Sequence, residues 1–95
     1  MILWIRGKRK SGKTTLAKQL LERMDAVWLD GDAMRASISE DLGFSDEDRL
    51  KNNVRIAKLS KVLEDQGFTV IVSTICPDYA KETVFNLTGC RFIEI

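Results

Sequence analysis

Gly7, Lys8, Arg9, Lys10, Ser11, Gly12, Lys13 and Thr14 match the pattern G-x-x-x-x-G-K-[ST], whose chemistry is the capture of phosphate. Backbone N–H groups of such a loop face phosphate oxygens, and the start of the following helix adds free donors and its dipole. Lys13 is placed to neutralise the β and γ phosphates, the Thr14 hydroxyl to hold Mg2+, and Thr15 completes the segment around them. The pattern therefore reads as a site for a nucleoside triphosphate. Downstream, Asp30 and Asp32 flank Gly31. In an extended segment residues i and i+2 share a face, so the two carboxylates are expected to project together, beside a metal and an exchanging proton. The alternative is that Asp32 caps the next helix.

Such a loop works only between a strand and a helix, and the flanks supply both. Ile2 to Ile5 is a short apolar run of buried-strand type, and Leu16, Ala17, Leu20, Leu21 and Met24 recur at helical spacing. A second strand is expected at residues 26–29, ending at the acidic pair, and a short helical piece near residues 33–39. Ser45, with Asp48 three residues on, predicts the start of a long helix running to about Gln66, where Gly67 terminates it. The run Phe68-Thr69-Val70-Ile71-Val72 predicts a strand buried on both faces at the sheet centre. Pro77 and Asp78 open a last helix, Gly89 ends it, and a fourth strand begins at Phe92. Strands alternating with helices predict an α/β fold with a mainly parallel sheet of about four strands, whose ligands bind beyond the strands' carboxyl ends.

Composition agrees with one soluble domain: 95 residues, 44% hydrophobic and 31% charged. The net charge is +1, but residues 1–24 hold seven Lys and Arg against one acid, which places positive potential at the phosphate loop. A rival reading of that basic tract is a nucleic-acid patch, against which the strand and helix context argues. With no histidine and two cysteines outside C-x-x-C spacing, a zinc site and a histidine-based triad are excluded. Neither a signal peptide nor a membrane span is read from the sequence, so the expected setting is cytoplasmic and reducing.

Leu29-Asp30-Gly31-Asp32-Ala33-Met34-Arg35, then Asp41-Leu42-Gly43-Phe44-Ser45, Asp48-Arg49 and Asn52, together with the loop upstream, resemble the adenylylsulfate kinase (APS kinase) family of P-loop kinases. The resemblance implies transfer of the ATP γ-phosphoryl group to the 3′-hydroxyl of adenylylsulfate, giving PAPS for sulfate assimilation. It implies that Lys13 and Asp32 are catalytic and that Thr14 and Asp32 serve Mg2+. Asp30, Arg35, Phe44, Arg49, Asn52 and Ile75 would line the adenylylsulfate site, with the arginines on the phosphosulfate and Phe44 stacked on adenine. Arginine forks suit oxyanions, and an aromatic face suits a purine. From residue type alone, Arg35 and Arg49 are equally open to surface ion pairing, and Phe44 to a place in the core.

The chain departs from the family pattern in places. Arg9 and Lys10 stand where the family has Ser and Gly, Ala33 where it has Asn, and Cys76 and Asp78 interrupt its I-S-P-Y-R run. Family domains continue beyond the fourth strand, so residues 1–95 are expected to lack the C-terminal strand and lid and to be incomplete at that end. An open fourth strand would then favour homo-oligomers. Two other functions stay open at this point: a P-loop kinase for another hydroxyl substrate, and a nucleotide-binding remnant without turnover.

Overall fold

The computed structural model describes all of residues 1–95. Its elements are β1 (Ile2–Arg6), α1 (Lys13–Leu21), β2 (Val27–Asp30), α2 (Gly31–Arg35), α3 (Asp46–Asp65), β3 (Val70–Thr74), α4 (Asp78–Thr88) and β4 (Arg91–Glu94). The four strands form one parallel sheet in the order β2-β3-β1-β4. This is the three-layer P-loop arrangement that the alternation of elements predicts.

Period-two alternation sends neighbouring side chains to opposite faces of the sheet and creates two cores. Ile2 and Trp4 of β1, Leu29 of β2, and Val70 and Val72 of β3 pack against Ile56 and Ala57 of α3 and Ala80 and Val84 of α4. Ile5 and Ile71 face the other way onto Ala17 of α1, with Leu16, Leu20 and Trp28 closing the smaller layer. All five residues of β3 are buried. That strand begins at Val70, two residues later than the apolar run suggests, because Phe68 is half exposed and its N–H turns back to the Leu63 carbonyl of α3.

The second short helix starts earlier than its sequence suggests and stops sooner. It begins at Gly31, and its N-cap is Asp30, whose Oδ2 accepts from the Ala33 N–H at 3.4 Å. Asp32 is thus neither the cap nor part of an extended segment. It stands in the first turn of α2, where a carboxylate complements the helix dipole. The expectation that Asp30 and Asp32 project together by strand alternation fails for that reason. α3 starts as expected, with the Ser45 Oγ accepting from the Asp48 N–H at 3.2 Å, and its Gly67 terminator is left-handed at φ 95°.

One side chain closes the sheet's carboxyl edge. The Arg6 guanidinium, largely buried, donates through Nε to both Glu94 carboxylate oxygens at 2.8 and 2.7 Å, through Nη1 to the Cys76 carbonyl at 2.6 Å and through Nη2 to Asp78 Oδ1 at 2.6 Å. It joins β1 to β4, to the start of α4 and to the loop between β3 and α4. Lys81 adds a third bond to Glu94, at 2.9 Å. Bonds from Arg6 and then from Lys81 hold the Glu94 carboxyl below its ordinary value of 4.5. A carboxyl depressed in the folded state contributes stability above its unfolded value, and loses it as pH falls through the folded one. Arg6→Ala is therefore expected to lower unfolding free energy by about 2 kcal/mol at neutral pH, the scale of a charged hydrogen bond set. It should also flatten the acid-side loss of stability below about pH 4.5. Urea unfolding of both proteins across the acid range checks each effect.

Candidate functional site

The phosphate loop joins β1 to α1, and its shape is set by a few backbone contacts. The Ser11 N–H donates to the Lys8 carbonyl at 3.1 Å, Gly12 caps α1 in a left-handed conformation at φ 97°, and Lys10 is left-handed at φ 61°. At Gly7 a β-carbon would fall 2.6 Å from Ser11 Oγ and 3.2 Å from the Ile95 carbonyl, so any side chain there would displace the Ser11 hydroxyl and press on the end of β4. Lys13 is folded inward, its Nζ donating to the carbonyls of Gly7 at 3.0 Å and Lys8 at 2.7 Å. Burial pulls its ammonium below the ordinary lysine value, and the nearby carboxylates of Asp32 and Asp30 oppose that shift.

Across the sheet edge, the segment before α3 is held by side chains bonding to its backbone. Arg35 Nη1 donates to the Gly43 carbonyl at 2.7 Å, and Arg49 Nε to the Phe44 carbonyl at 3.0 Å. The Asp48 carboxylate accepts from the Gly43 N–H at 2.8 Å. Neither arginine has a carboxylate partner, so the ion-pair alternative does not describe them. Phe44 is 71% exposed and is no core residue; the Arg35 guanidinium lies 4.7 Å from its ring centre.

These two walls enclose one cleft of about 760 Å³ at the carboxyl ends of the strands. Every residue singled out from the sequence lines it except Gly7: Lys8, Arg9, Lys10, Ser11, Gly12, Lys13, Thr14 and Thr15 on one side, Asp30 and Asp32, and Arg35, Phe44, Arg49, Asn52 and Ile75 on the other. Gly7 instead lies beneath the loop, where its role is to leave room. Asn52 is almost fully buried, and its Oδ1 has no hydrogen-bond partner in the chain. An unpaired buried acceptor on a cleft wall is a place for a ligand N–H or O–H.

An adenylylsulphate kinase family model matches residues 1–95, the whole chain. The chain belongs to the adenylylsulphate kinase family. An adenylyl-sulfate kinase from Burkholderia ambifaria is 41% identical over 101 residues, which cover 99% of this chain and 56% of the relative. One from Emericella nidulans is 38% identical over 110 residues, covering 100% of this chain and 53% of the relative. The chain thus spans about half the length of the curated relatives it matches. An APS kinase from Mycobacterium tuberculosis, solved in complex with AMPPNP and APS, superposes with a TM-score of 0.81 at 33% identity, over 98% of this chain and 59% of that one.

Within this member of the adenylylsulphate kinase family, two polar relays position the cleft residues, and only their ends were recognised from sequence. On one face Trp28 Nε1 donates to Ser73 Oγ at 2.8 Å, and Ser73 donates to Asp30 Oδ1 at 2.8 Å. On the other, Trp4 Nε1 donates to Thr74 Oγ1 at 3.0 Å and Thr74 to Asn53 Oδ1 at 3.0 Å. The Asn53 amide then donates to the carbonyls of Arg49 at 2.9 Å and Ile75 at 3.3 Å. Asn53 escaped notice beside Asn52; the available signal was its place three and four residues before Ile56 and Ala57 on the buried face of α3, where an amide needs a partner. Asn53→Leu keeps the branched shape of the side chain but leaves Thr74 and two carbonyls without their partner. A loss of about 2 kcal/mol in urea unfolding is expected, together with a changed near-ultraviolet signal from Trp4.

Proposed function

We infer that the chain binds ATP along residues 7–15 and adenylylsulfate against Arg35, Phe44, Arg49, Asn52 and Ile75, and transfers the γ-phosphoryl group to the 3′-hydroxyl to give PAPS and ADP. One observation carries the reading: a phosphate loop and two guanidinium groups without carboxylate partners, beside an exposed aromatic ring, open onto the same cleft. The complex of the Mycobacterium tuberculosis APS kinase with AMPPNP and APS supports placing one nucleotide on each wall.

Phosphoryl transfer asks a protein mainly for position and charge neutralisation. In the proposed reaction the acceptor oxygen forms a bond to the γ-phosphorus while the bond from that phosphorus to the bridging oxygen of ADP breaks. Asp32 accepts the proton leaving the 3′-hydroxyl. Lys13 exchanges its two loop carbonyls for phosphate oxygens and neutralises charge on the leaving ADP. Arg35 and Arg49 fix the phosphosulfate with donors left over from their backbone bonds, and Phe44 offers its ring to adenine. Thr14 and Asp32 suit Mg2+, an ion that takes one or two protein oxygens and completes its shell with substrate phosphates and water. It would supply charge neutralisation across the β and γ phosphates.

The reading predicts a separation of effects. Lys13→Ala should weaken ATP binding at least about tenfold, the scale of a lost charge-assisted contact, with adenylylsulfate affinity unaltered. Arg49→Ala should do the reverse. Asp32→Asn should leave both affinities within about threefold yet remove turnover, since a carboxamide cannot take the proton. Calorimetric titration of each ligand, with a PAPS assay on the same samples, reads all three. Joint loss of both affinities in either cation variant would refute the two-wall assignment, and ATP binding by wild type without PAPS formation would favour a nucleotide-binding role.

A further inference from the structure

Lys8, Arg9 and Lys10 stand exposed on the cleft wall, and none pairs with a carboxylate. Together with Ser11 they form a turn closed by the Ser11 N–H on the Lys8 carbonyl. Lys10 is third in that turn, the position where left-handed backbone calls for glycine, and it is the one non-glycine residue of the chain with positive φ, at 61°. A β-carbon there crowds the backbone at a cost that glycine avoids. Strain retained at a binding site directs attention to the side chain that imposes it.

The charges around it give that side chain a task. The cleft is lined by six Lys and Arg residues against two Asp, and both oxygens of Asp30 are already bonded, to Ser73 and to the Ala33 N–H. Lys13 is folded inward and held on two loop carbonyls until phosphate replaces them, so it serves the inner part of the loop. The uncommitted charge on the loop's outer wall therefore belongs to Lys8, Arg9 and Lys10, beyond the backbone donors that cradle phosphate.

We propose that Arg9 and Lys10 form a rim subsite for linear polyphosphate, so that the loop takes inorganic tripolyphosphate as a ligand in its own right and competes it against ATP. This rests on the reading of the loop as a triphosphate site. The backbone and Lys13 hold one end of the phosphate chain. Arg9 grips a further phosphate with its planar fork, Lys10 adds a point charge, and affinity follows the charge of the phosphate chain more than the base attached to it. The strained backbone at Lys10 is the cost of carrying that charge at a glycine position.

Calorimetric titration of the full chain with ATP and with sodium tripolyphosphate, on wild type, Arg9→Ser, Lys10→Gly and Lys10→Asn, tests the proposal. Asn tolerates left-handed backbone without charge, so Lys10→Asn guards against a folding effect. Tripolyphosphate is expected to bind wild type within about threefold of ATP and to displace it, and each variant to bind tripolyphosphate about five- to tenfold more weakly. Lys10→Gly should at the same time raise Tm, a pairing that a purely structural role for Lys10 would not give. Unchanged tripolyphosphate affinity in the variants, or failure of tripolyphosphate to displace ATP, would overturn the rim subsite alone. So would displacement by a single-stranded oligonucleotide at equal phosphate concentration, which would make the rim a general polyanion patch. Failure of ATP itself to bind wild type would overturn the triphosphate reading and the rim with it.

Discussion

The Arg6 guanidinium is the point on which the carboxyl edge of the sheet depends. It ends β1 one residue before the phosphate loop begins, and its bonds reach Glu94, Asp78 and the Cys76 carbonyl. A parallel sheet has no hairpins to fix where its strands end relative to one another, so ladder bonds alone leave that edge weakly specified. A planar cation with several donors can serve several acceptors at once in a fixed geometry, which an ammonium cannot. Because Ile75 lines the cleft and Cys76 follows it, the same guanidinium that secures β4 also holds the segment that carries Ile75.

Behind that edge the sheet carries two tryptophans, Trp4 fully buried on β1 and Trp28 half-buried on the edge strand β2, and an indole N–H taken out of water needs a partner, since an unpaired buried donor costs more than a typical hydrogen bond gains. Trp4 and Trp28 point to opposite faces, and each finds a β3 hydroxyl, Thr74 and Ser73 respectively. Those hydroxyls then donate onward to Asn53 and Asp30. The core thus orients Asp30 and, through Asn53, the backbone at Arg49 and Ile75, on the side of the cleft away from the phosphate loop. Fully satisfied networks of this kind rigidify a fold, and here the rigidity sits directly under the site.

Much of this was legible in the chain and some was not, for physical reasons. The phosphate loop, the β-branched run of β3 and the Ser45 cap are local patterns, so composition and spacing suffice to find them. The acidic pair misled because an extended geometry was extrapolated two residues too far: once Asp30 takes the Ala33 N–H, the backbone turns helical at Gly31 and the alternation of faces ends. Gly31 has its own constraint, a β-carbon there lying 3.2 Å from Thr74 Cγ2 and 3.3 Å from the Ser73 carbonyl. Arg6 merged into the basic tract beside it because its partners lie 72 and 88 residues away, a separation that no local pattern encodes.

The two walls of the cleft are organised in opposite ways, and this bears on what binding costs. On the loop wall the donors are backbone N–H groups, already directed, and the one side chain that must move is Lys13. On the acceptor wall the loop backbone is the passenger: Arg35 and Arg49 each spend one donor holding a carbonyl at residues 43 and 44 and keep most of the guanidinium fork open. An anion arriving there shares cations that are already immobilised, so little rotamer freedom is left to lose and no internal bond has to break. The exposed Phe44 ring, fixed by its carbonyl to Arg49 and covered on one face by Arg35, follows the same logic. Apolar surface left in water by design is justified when its position is paid for before the ligand comes.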